Sequence, residues 1–90
     1  SGEREVAGKL MPVVLRIEGF HFLFYGNEGN PREPVHIHVR AGRNEAKFWL
    51  SPDVRLVYNR GLNAATINRL QKMVEDHRDE LERAWNDFFS

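Results

Sequence analysis

The chain contains no cysteine, which excludes a disulfide framework and a thiolate metal site and suits a reducing cytoplasm. It has no apolar run approaching the ~20 residues of a membrane span, and no basic start followed by an apolar segment, so neither a membrane anchor nor a secretion leader is expected. It has no overall excess of one charge either, with 13 Lys and Arg against 13 Asp and Glu. That balance hides a segregation. Residues 32–72 hold eight basic and three acidic side chains, and residues 75–87 hold six acidic and two basic ones. A basic middle beside an acidic end fits a polyanion-binding face with a solvated helix, or two halves that neutralise each other within one fold. Ninety residues suffice for one domain whose apolar side chains must nearly all serve a single core.

What is present is organised around Val35-His36-Ile37-His38-Val39-Arg40. Successive strand side chains point to opposite faces, so Val35, Ile37 and Val39 line one side while His36, His38 and Arg40 line the other. Pro34 before the run and Ala41-Gly42 after it bound the strand. Val13 to Glu18 alternates in the same way, with Val13, Leu15 and Ile17 on one face. A tight turn at Gly19 leads into a second strand, where Phe20, Phe22 and Phe24 alternate with His21, Leu23 and Tyr25. Glu45 to Leu50 forms a fourth strand, and Val54 to Tyr58 a fifth or an extended edge. Between Gly26 and Pro34 the sequence is dense in turn-favouring residues and reads as a long loop. Ser1 to Leu10 is polar and without period, and reads as a tag or disordered extension before a domain over 11–90.

Antiparallel pairing constrains the faces. Setting Val39 beside Ala46, Ile37 beside Phe48 and Val35 beside Leu50 sets Arg40 by Glu45, His38 by Lys47 and His36 by Trp49. His21, Tyr25, His36, His38, Arg40, Lys47 and Trp49 then share a polar face, with Arg16 joining from the first strand. Leu23 is the apolar exception there, which implies that this face is partly covered or lies at a subunit contact. After an N-cap at Asn63, Ile67, Leu70, Val74, His77, Leu81, Trp85 and Phe88 draw one apolar stripe along a helix over about 64–88. Such a helix is about 37 Å long against strands of about 20 Å, so it overhangs, bends near Asp76, or packs on a second subunit in a homodimer. The fold class is therefore α+β: an antiparallel sheet of four or five strands with a long, straight or kinked C-terminal helix on the phenylalanine face. His77, within that stripe, reads as a buried imidazole with one hydrogen-bond partner.

Three chemistries fit the polar face. His36 and His38 could act as general base and acid on an RNA 2′-hydroxyl, with Lys47 and Arg40 stabilising the phosphate. Tyr25 and Trp49 could stack on bases while Arg16 and Arg40 hold the backbone, without catalysis. Alternatively His21, His36 and His38 could ligate zinc, with Glu45 and Glu18 the carboxylates within reach; otherwise no cofactor is expected. A protein-interaction surface for a second copy or another partner is the reading without chemistry.

The blocks Met11-Pro12-Val13-Val14-Leu15-Arg16-Ile17, Pro34-Val35-His36-Ile37-His38-Val39, Ala46-Lys47-Phe48-Trp49-Leu50 and His77-Arg78-Asp79-Glu80-Leu81, with Trp85 after them, resemble an uncharacterised family of small bacterial proteins, the domain of unknown function numbered 4160. The family's loop carries an Asn followed by Pro-Pro-His-x-His, from which Asn30-Pro31-Arg32-Glu33-Pro34-Val35 departs. The resemblance implies no established catalytic residue. It implies a component of a toxin–antitoxin-like gene pair, hence a partner encoded beside it.

Overall fold

Alternation of apolar and polar side chains builds five strands, and each pairs antiparallel with the next in the chain. The computed structural model describes residues 12–29 and 31–90; the expected extension over 1–10 lies outside them. The strands are β1 (Val13–Ile17), β2 (Phe20–Leu23), β3 (His36–Ala41), β4 (Asn44–Trp49) and β5 (Arg55–Arg60), lying in that order across one sheet. Two helices follow, α1 (Ala64–Asp76) and α2 (Arg78–Phe88). The fold class is the α+β arrangement expected, and the fifth strand is a full member of the sheet.

The β3–β4 register pairs His36 with Trp49, Ile37 with Phe48, His38 with Lys47, Val39 with Ala46 and Arg40 with Glu45. Leu50 donates its amide to the Val35 carbonyl at 3.1 Å, extending the same register. The β1–β2 connection is a two-residue turn in which Glu18 and Gly19 both take positive φ, 52° and 84°, the conformation that matches strand twist and favours glycine. In β1 the strict alternation breaks. A register shift between Val13 and Leu15 sets Val13 opposite Leu23, while Leu15 and Ile17 lie opposite Phe22 and Phe20. Val14 therefore joins Leu15 and Ile17 against the core, and Val13 leaves the face that alternation alone assigns to it.

Phe20, Phe22, Phe24, Ile37, Val39, Ala46, Phe48 and Leu50 from the sheet meet Leu70 and Val74 of α1 and Leu81 and Trp85 of α2 in one buried cluster. Phe24 and Trp85 pack edge to face, with ring centroids 5.3 Å apart. Asn63 caps α1, its side chain accepting from the Thr66 amide at 2.8 Å. The length mismatch of a single helix is absorbed at His77, where φ −107° and ψ 12° separate the two helices. Each half is then about as long as a strand, roughly 16–20 Å. The His77 ring is half-buried, and its Nδ1 donates to the Met73 carbonyl at 2.9 Å. No helix among the described residues is long and apolar enough to cross a membrane.

Candidate functional site

The sheet face opposite the helices is divided. Around His36 and His38 it is closed; these side chains are 0% and 3% exposed. What covers them is the loop after Tyr25, which begins with a single 3-10 turn over Gly26–Glu28, together with Trp85 of α2, whose ring lies 4.8 Å from that of His36. Glu28 accepts the Tyr25 amide on Oε1 at 2.9 Å, and its own amide donates to the Tyr25 carbonyl at 3.1 Å. That reciprocal pairing aims the carboxylate inward. Gly29 follows, and a Cβ there would collide with the Phe89 ring, so the loop lies flat on the C-terminal aromatics because its closest residue has no side chain.

Buried Glu28 Oε2 lies 2.8 Å from His36 Nε2 and 2.6 Å from His38 Nε2. The other nitrogens are held from behind. His36 Nδ1 is 2.8 Å from the Pro34 carbonyl oxygen, and His38 Nδ1 is 3.1 Å from Glu45 Oε2 and 3.1 Å from the Tyr58 hydroxyl. Glu45, also buried, accepts the Tyr25 hydroxyl on Oε1 at 2.6 Å and the Tyr58 hydroxyl on Oε2. Burial pushes the Glu28 carboxyl up, but the two imidazoles and the Tyr25 amide pull it down to a net value of about 2. Glu45 follows the same pattern: burial raises it, and the two tyrosine hydroxyls with His38 bring it below the usual carboxylate range. Burial and the Glu45 carboxylate together push the Tyr25 hydroxyl up to about 12, and raise Tyr58 for the same reasons. The site therefore holds two carboxylates against two histidines, braced by two protonated phenols.

The other half of this face is exposed and basic. Arg16 pairs with His21, His21 with Arg40, Arg40 with Glu45 and Glu45 with Arg60, so one cross-strand row spans all five strands. Four inter-strand steps make it about 19 Å long. Arg16, His21 and Arg60 are exposed, and the Arg40 side chain is 41% exposed with Nε 3.6 Å from Glu45 Oε1. The Arg60 guanidinium rests over the Tyr58 ring at 4.5 Å, which fixes one end of the row.

The residues singled out from the sequence are thus distributed over several environments. His36 and His38 meet each other at the buried cluster, with rings perpendicular and centroids 5.0 Å apart. Lys47 opposes His38 in register, yet its ammonium turns to Glu33 at 3.4 Å and lies 4.9 Å over Trp49. Trp49 itself stands edge-on to His36 at 5.8 Å. Tyr25 packs against His38 at 4.3 Å with its hydroxyl committed to Glu45. Arg16 and Arg40 belong to the exposed row, as does His21. The side chain brought to the two imidazoles is Glu28, and the donor atoms of Glu28, His36 and His38 all lie within 4.8 Å of one another. Sequence reasoning missed Glu28 and Tyr58. The signal for a covered face was Leu23, which is 3% exposed and opposes His38.

Compared with known families, residues 19–86 match the one described as Domain of unknown function (DUF4160). Among curated proteins and solved structures there is no match.

Proposed function

The chain belongs to the DUF4160 family, a domain of unknown function, and from that premise we propose that it is a non-catalytic RNA-binding module of a toxin–antitoxin-like pair. The observation that carries this reading is the exposed Arg16, His21, Arg40 and Arg60 on β1, β2, β3 and β5, members of one cross-strand row whose β4 position is the buried Glu45. Guanidinium groups repeated on alternate strands suit a phosphate backbone, because each can form paired hydrogen bonds to phosphate oxygens and release a condensed counterion. Binding rather than cleavage is favoured because His36 and His38 are closed off by Glu28, and a general base must reach the proton it removes. The neighbouring-gene partner belongs to the same proposal and rests on the family resemblance.

The test is fluorescence anisotropy with a labelled mixed-sequence single-stranded RNA, between 50 and 200 mM salt. Three arginine–phosphate contacts give a log–log slope of about −2 on single strands, hence an affinity loss of about 15-fold across that range. Arg16→Ala, Arg40→Ala and Arg60→Ala should each flatten the slope by roughly 0.7. The RNA should stay intact throughout. Affinity indifferent to all three substitutions, or no binding at the lower salt, would sink the reading.

A further inference from the structure

We infer that Glu28, His36 and His38 form a site for a divalent first-row transition metal, with the Pro34 carbonyl and Glu45 fixing the two imidazoles by their other nitrogens. This inference is independent of the arginine row. It starts from hydrogen-bond direction. A carbonyl oxygen only accepts, so His36 Nδ1, 2.8 Å from the Pro34 oxygen, carries the hydrogen, and Nε2 of the neutral ring presents a lone pair. The Glu45 carboxylate likewise makes His38 Nδ1 the donor, leaving Nε2 of that ring to face Glu28. Two imidazole Nε2 atoms and a carboxylate therefore converge in a buried space, where a shared cation, a proton or a metal, relieves the repulsion of their lone pairs.

One proton does not complete it. A proton on His38 Nε2 satisfies the 2.6 Å contact with Glu28, but His36 Nε2 remains. That atom is fully buried and without a hydrogen-bond partner, although Glu28 Oε2 is only 2.8 Å away, off the direction a ring N–H would take. An unsatisfied buried nitrogen costs about 1–3 kcal/mol and is resolved by a ligand that both rings can share. A tetrahedral metal with bonds of about 2.1 Å would hold neighbouring ligand atoms about 3.4 Å apart, so Glu28 must retreat by roughly 0.6–0.8 Å from the two nitrogens, within the reach of a glutamate side chain. Two imidazoles and one carboxylate select zinc or a similar transition ion over magnesium or calcium, which prefer all-oxygen sets. Imidazoles held from behind by a carbonyl and a carboxylate are the usual support for metal-ligating histidines.

The experiment uses the full chain after chelation and dialysis, titrated with zinc against a chromophoric chelator and with cobalt(II) for its visible absorption. The expected result is one equivalent bound at micromolar metal or tighter, with the intense visible bands of four-coordinate cobalt. Glu28→Gln is the deciding variant, because it leaves both rings in place, whereas His36→Ala also removes packing against Trp85 at 4.8 Å. Glu28→Gln should abolish the cobalt bands while the far-UV spectrum stays that of the folded chain. Glu45→Gln should weaken binding by about 10–100-fold, as loss of a supporting carboxylate does. No binding to the stripped protein, binding that survives Glu28→Gln, or binding that depends on His21 would each overturn the assignment.

Discussion

Replacing Glu28 with glutamine removes one charge and almost no volume, which makes it a direct probe of the buried cluster. The carboxyl is brought from 4.5 to about 2 in the folded protein, a difference that corresponds to roughly 3 kcal/mol of stability. Since the folded value lies below the unfolded one, this contribution is complete above about pH 5 and disappears as the pH falls toward 2. By pH 3 about 2 kcal/mol of it is gone. Urea unfolding in the presence of a chelator, followed by the fluorescence of Trp49 and Trp85, should find Glu28→Gln less stable than the parent by about 3 kcal/mol at pH 6 and by about 1 kcal/mol at pH 3. A gap that stays constant between these values would show that the imidazoles do not hold the carboxylate in its charged form, and the account of the cluster would fail.

Two further perturbations examine how the loop and helices are held. Gly29→Ala places a methyl group in the Phe89 ring, which is itself packed on Trp85 at 4.3 Å, so the variant should lose about 1–3 kcal/mol in urea unfolding; an unchanged midpoint would mean the loop does not rest on those aromatics. Asn63→Ala removes the acceptor for the Thr66 amide and should lower stability by about 1 kcal/mol, read as a fall in thermal midpoint of roughly 4–8 °C.

The fold was legible because its signals are periodic. Alternation within β3 and β4 admits only registers that put Val39, Ile37 and Phe48 on the same face, the short turn over Ala41–Asn44 selects one of them, and that register is the one observed. The helix stripe likewise placed Leu70, Val74, Leu81 and Trp85 in the core. The site was legible only in part. Parity shows which side of the sheet His36 and His38 occupy, but their burial depends on what lies above that side. The covering side chain comes from a 3-10 turn in a loop, where neither a period of two nor one of 3.6 operates. Tyr58 escaped for a related reason. The register of β5 shifts between Lys47 and Phe48, and a bulge moves every later side chain by one position without any mark in the hydrophobic pattern.

Glu45 ties the two halves of the polar face together and also explains why they respond to different conditions. One of its oxygens accepts from Tyr25 and faces Arg40, and the other meets Tyr58 and His38. A single buried carboxylate therefore sits between Arg40 and Arg60 in the cross-strand row and also belongs to the enclosed cluster. On the outer side, charges work through water and are screened within about 8–10 Å at ordinary ionic strength. On the inner side, Glu28, His36 and His38 are buried, and their interactions are screened far less. Raising salt from 50 to 200 mM thus weakens whatever the arginine row holds and leaves the convergence of the carboxylate and imidazoles almost unchanged. This division follows from the strand register, because Arg40 and His38 differ by two positions on the same strand and fall on opposite sides of the loop's cover.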